Sequence, residues 1–198
     1  MAGTVKPKKP TPKEKGYDIA GNTLADIWKD IEKKGPKING KNRAGKTTAE
    51  GDANPNYTYS VKENKAKGVQ ICSLSTDVVN VTLVNGKIEY PKLKSDKKLS
   101  PKAKTEWKRF FKKLMAHEHE HMATMMTEMK ALGSEVVNIS KTTEDADKQK
   151  AIDTAVEKWS VDVTALIGKT KIEARLKKVN DSLDSKSGHG PVLDTSIP

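Results

Sequence analysis

Apolar residues recur along the chain with two different periods, and the change of period divides it. Leu24, Ile27, Trp28 and Ile31 follow i, i+3, i+4, i+7 spacing, which predicts an amphipathic helix. Asn22 or Thr23 supplies the N-cap, and Gly35-Pro36 ends the element. Residues 36–56 are rich in Gly, Asn, Lys and Pro and read as loop or turns. Period-2 character follows in Tyr57–Val61, Val69–Leu74 and Val78–Val84. Asn85-Gly86 then predicts a type I′ hairpin turn, with Ile88-Glu89-Tyr90 as the return strand and Pro91 as its stop. The expectation is a small antiparallel sheet.

The helical period returns at Ser100-Pro101, with serine as N-cap and proline at the first helical position. Ala103, Trp107, Phe110 and Leu114 form the apolar stripe, and the same spacing continues onto His117 and His121. Gly133 is the expected end. One or two further helices are expected over residues 144–182, with Ala155, Trp159, Val163, Leu166, Ile167, Ile172, Leu176 and Val179 facing inward. From Asp184 the tail reads as turns. Residues 1–15 hold lysine and proline with little to bury, and read as a disordered basic tail before one domain over 16–198. The whole is α+β, with the sheet packed on the long helix and a further C-terminal helix.

The long helix carries the chemistry. His117-Glu118-His119-Glu120-His121 contains H-E-x-x-H. Residues four apart share a helix face, so His117 and His121 can hold one metal ion, and Glu118 can reach a water on it as general base. His119 lies about 200° round the helix from His117 and is expected in solvent or behind the ligands. A catalytic zinc usually takes three protein ligands. His189, flanked by Gly188 and Gly190, is the favoured third; Glu144, Asp145, Asp147, Glu157, Asp162 and Asp184 stay open. Glu128 lies roughly 10 Å further along the same helix and is too far. Met115, Met122, Met125, Met126 and Met129 are expected as core filling beside the site, and Cys72 as a buried strand residue.

The net charge of +11 changes the picture little. Lysines are scattered, the aromatic share is 5%, and basic runs are not interleaved with rings, so specific nucleic-acid binding is not expected. No apolar run approaches the ~20 residues of a membrane span. The N-terminus lacks the apolar core of a signal peptide, which leaves the cytosol, a leader already removed, or another export route.

Trp107-x-x-Phe110, Leu114 and H-E-x-x-H, after a β-rich half, resemble the DUF922 family of bacterial proteins. Tyr17-Asp18-Ile19-x-Gly21-x-Thr23, Gly35-Pro36 and Tyr90-Pro91-Lys92-Leu93 extend the resemblance over residues 16–190. It implies a zincin-like fold and a secreted or periplasmic zinc-dependent protease acting on a protein or peptide; a monomer is expected. The family tail Tyr-Asp-x-x-Thr-x-His-Gly is met by Asp184, His189 and Gly190, whereas Leu183 and Ser187 replace the tyrosine and threonine. The expected function is therefore zinc-dependent peptide hydrolysis with Glu118 as base. A metal-binding or interaction module without turnover is the alternative.

Overall fold

The computed structural model describes residues 3–188 and 190–198. The element order is β1 (Thr4–Lys8), β2 (Lys13–Ile19), α1 (Leu24–Lys34), β3 (Lys37–Ile38), β4 (Lys41–Asn42), β5 (Lys46–Asn64), β6 (Val69–Leu93), α2 (Pro101–Val137), β7 (Ser140–Asp145), α3 (Lys148–Ile167) and α4 (Lys169–Ser187). The fold is mixed α+β. Two compact units make it up: Met1–Lys9, Gly51–Val84 and Met126–Lys177 form one, and Pro10–Glu50, Asn85–Met125 and Lys178–Pro198 the other.

In the first unit β1 runs parallel to Val78–Thr82 of β6, and β7 runs antiparallel to Gln70–Ser75 of the same strand. Cys72, Leu74, Val79, Val81 and Leu83 are buried along β6. On α2 the buried set is Met126, Met129, Leu132 and Val136, again at helical spacing. Gly133 lies inside this helix rather than at its end. A Cβ there would come within 2.8 Å of Val5 and 3.1 Å of Val81, so glycine provides the room that β1 occupies. Asp147 caps α3 by accepting from the Lys150 amide. Trp159 donates its indole N–H to Thr76 at 2.9 Å and packs its ring on Tyr57 at 4.8 Å. Arg175 pairs with both Glu128 and Glu135. Cys72 is a buried core residue whose thiol is pushed up by loss of hydration, as its setting predicts.

In the second unit β2 pairs parallel with Lys87–Leu93 of β6. Helix α1 starts at a capping box in which Thr23 accepts from the Asp26 amide and Asp26 accepts from the Thr23 amide. It buries Leu24, Ile27 and Ile31 against Ile19, Leu99, Ala103, Phe110, Leu114 and Leu193. Ser100 caps α2 through the Ala103 amide, with Pro101 as its first residue. The last residues are tied along the start of α2. Arg109 donates to the Val192 carbonyl, the Asp194 amide donates to Glu106, and Ser100 donates to the Pro198 carbonyl.

Further expectations are corrected, beginning with the loop expected over residues 36–56, which holds β3, β4 and the start of β5. The sheet is not a small antiparallel one: five strands share it, and β1 and β2 both run parallel to β6. Asn85-Gly86 does not reverse the chain; Asn85 takes φ +54° and β6 continues to Leu93, leaving Met122 close to Gly86 instead of a paired return strand. The segment expected as a disordered tail carries β1 and the start of β2. Its lysines and Pro7 suit strands that have β6 on one side only, where an unpaired backbone N–H is tolerated. Helix α4 extends to Ser187, so Asp184 is helical rather than part of a turn.

Candidate metal centre

The buried stripe of α2 runs from Ala103 through Phe110 and Leu114 to His117 and His121, which are 8% and 7% exposed. Imidazoles placed there by helical periodicity need partners, because a buried ring nitrogen without one forfeits its hydration. They find one another and α4. His117 Nε2 lies 3.2 Å from His121 Nε2, and Asp184 Oδ1 lies 3.1 Å from His121 Nε2 and 3.5 Å from His117 Nε2. The three donor atoms all fall within 4.8 Å of one another. Behind the pair, His121 Nδ1 lies 3.0 Å from Asn180 Oδ1.

The charge balance of this cluster is informative. Burial, followed by the neighbouring His121 ring, holds His117 below the usual histidine range, while Asp184 opposes the shift. A neutral imidazole has the free lone pair that metal coordination requires. Two imidazole nitrogens and a carboxylate oxygen converge on one small space, a donor set that could hold a shared cation. The residues present therefore fit zinc, which accepts nitrogen and carboxylate oxygen ligands together.

Glu118 sits beside the cluster at 4% exposure. Burial pushes its carboxyl above the usual range, against the opposing effect of a hydrogen bond from Thr47. Thr47 Oγ1 is 2.7 Å from Glu118 Oε2 and 3.0 Å from the Glu118 carbonyl oxygen. The other carboxylate oxygen lies over Gly45, where a Cβ would fall 2.2 Å from Oε1. The segment carrying both residues is itself held, since the Tyr17 hydroxyl donates to the Ala44 carbonyl at 2.8 Å. Burial and the nearby Glu118 carboxylate both push that phenol up.

The structure thus brings His117, Glu118 and His121 together as the motif predicts. Asp184, one of the open candidates, joins them. His189, the favoured third ligand, lies outside the described residues. Its neighbour Gly190 has φ +95° and passes His117 so closely that a Cβ would lie 3.2 Å from Cδ2. Asp162 is engaged by Lys141. His119 is about half exposed, 3.4 Å from Glu14, as its angular position predicts. Met122, Met125, Met126 and Met129 are core residues. Sequence reasoning missed Thr47, Gly45 and Asn180. For Asn180 a signal existed: Asn180 and Asp184 repeat on α4 the four-residue spacing of His117 and His121 on α2.

The fold and the cluster define a mixed α+β protein in which two histidines and an aspartate converge, with a buried glutamate beside them. The chain belongs to the family described as bacterial protein of unknown function (DUF922), whose model matches residues 14–190. No curated protein and no solved structure matches it. Among the described residues no helix is long and apolar enough to cross a membrane.

Proposed function

We propose that this protein is a zinc-dependent peptidase, with His117, His121 and Asp184 as protein ligands and His189 as a further candidate ligand. The observation that carries the reading is the convergence of three donor atoms within 4.8 Å beside a buried carboxylate that the same helix supplies. A zinc ion in such a site lowers the pKa of a bound water toward ~7 and polarises a carbonyl. The chain's own residues do the rest. Glu118 accepts a proton on its carboxylate and returns it to the departing amine nitrogen. Its raised affinity for protons brings it closer to the working pH of a base that must also release the proton as an acid. Thr47 and Gly45 hold the carboxylate in one orientation, and α4 sets Asp184 against both imidazoles.

A module that binds metal without turnover is the second reading. It is favoured by Leu183, an apolar side chain immediately before Asp184 that offers no hydrogen to a developing oxyanion. The two readings separate in one experiment. Purified protein is analysed for zinc and then offered a broad fluorogenic peptide library with and without a chelator. About one zinc per chain and chelator-sensitive cleavage support the peptidase. Zinc without cleavage supports the module, and absence of zinc overturns both.

A further inference from the structure

Asn180 and Asp184 are four residues apart on α4, so both side chains leave the same face of that helix. They meet opposite sides of one imidazole. Asn180 Oδ1 faces His121 Nδ1 at 3.0 Å, while Asp184 Oδ1 faces His121 Nε2 at 3.1 Å. An amide oxygen can only accept, so Nδ1 must carry the hydrogen, and a neutral ring then has its lone pair on Nε2. That lone pair points to the space shared with His117 Nε2 and Asp184 Oδ1.

We propose that Asn180 is a positioning residue for the metal centre: its amide oxygen selects the Nδ1–H tautomer of His121 and turns Nε2 toward the ion. The inference rests on the metal reading above and adds a residue that the H-E-x-x-H motif does not contain. The hydrogen bond on the far nitrogen fixes the His121 ring about its χ2 torsion before the ion arrives. Ligands ordered in this way bind metal about 10–100-fold more tightly than the same ligands unsupported.

The test compares zinc affinity of the parent, Asn180→Ala and Asn180→Asp by competition with a chromophoric chelator. Alanine is a good helix former, and Asn180 is not fully buried, so the apo protein should melt at the parent temperature. Asn180→Ala is expected to weaken zinc binding about 10–100-fold. Asn180→Asp keeps an acceptor at the same place and is expected to stay within a few-fold of the parent. If Asn180→Ala binds as tightly as the parent, or Asn180→Asp is as weak as alanine, the positioning role is overturned. A parent that binds no zinc removes the metal reading itself and this inference with it. Nitrogen-15 spectra of the parent imidazoles give a measurement independent of any variant. His121 protonated on Nδ1 supports the proposal, and His121 protonated on Nε2 in the neutral form overturns it.

Discussion

Thr47 and Glu118 are 71 positions apart in sequence and are joined by a 2.7 Å hydrogen bond from the threonine hydroxyl to the carboxylate. The strand that carries Thr47 therefore sets where the proposed base points. Replacing Thr47 by valine keeps the shape and removes the donor. The expected result is a loss of about 10²-fold in kcat with KM and zinc content little changed, the scale of a misplaced catalytic group. Thr47→Ser restores the hydroxyl and most of the rate. Steady-state kinetics on the best-cleaved library peptide, alongside zinc analysis, decide it; equal rates for threonine and valine would remove Thr47 from the site.

Glu118→Gln is nearly isosteric and removes the base. Zinc binding should stay close to that of the parent, while hydrolysis falls by about 10²–10⁴-fold. Retention of parental turnover in this variant would show that Glu118 is not the proton acceptor.

Asp184→Ala and His189→Ala distinguish the candidate ligands. A zinc concentration about 100 times the dissociation constant adds roughly 2.7 kcal/mol to stability. A protein of this size gains about 2–4 °C per kcal/mol. The parent should therefore melt several degrees higher with zinc than with chelator. Asp184→Ala should lose that increment. If it keeps the increment and His189→Ala loses it, histidine is the ligand and Asp184 only a neighbour.

The Glu106–Arg109 pair gives a pH prediction away from the metal. The Arg109 guanidinium, with help from the Asp194 amide, holds the Glu106 carboxyl down at about 2, against an ordinary value of 4.5. The folded form thus binds this proton less readily than the unfolded form. Its contribution is fully present above pH 4.5 and is lost as pH falls toward 2. The melting difference between the parent and Glu106→Gln should be largest near neutrality and should shrink through that window. A difference that stays constant from pH 6 to pH 2.5 would contradict the assignment.

Deleting residues 1–8 removes β1 and exposes the pocket that Gly133 leaves beside Val5 and Val81. Loss of about 1.5 kcal/mol of apolar burial alone lowers the melting temperature by roughly 3–6 °C. A truncated protein that melts with the parent would restore the view of this segment as a passive tail.

The sequence was most legible where one face of an element is buried. Ala103, Phe110, Leu114, His117 and His121 repeat at helical spacing, and the structure buries all five. The caps at Thr23 and Ser100 were readable for the same local reason, since a side-chain oxygen placed before an apolar run meets free amides. The rest depended on distant partners. β1 has one half-buried valine in five residues, and only its pairing with β6 makes it a strand. Asn85 adopts the positive φ that its dipeptide favours, but the long β6 and its parallel partner β2 absorb it without a reversal. The last turn of α4 is polar and exposed, so no apolar period betrays that Asp184 is helical. Thr47 has no local signature, because what it does is decided by a residue 71 positions away.

Asp184 follows His121 by 63 residues, and this separation has a consequence in time. A chain made or threaded from its N-terminus presents His117, Glu118 and His121 long before α4 exists. Two imidazoles alone are an incomplete set for zinc. On the proposed reading, peptide-bond chemistry is therefore withheld from the emerging polypeptide and begins only when α4 has followed α2. The distance between two helices in the sequence would then act as a delay that keeps an unfinished hydrolase from cutting its surroundings.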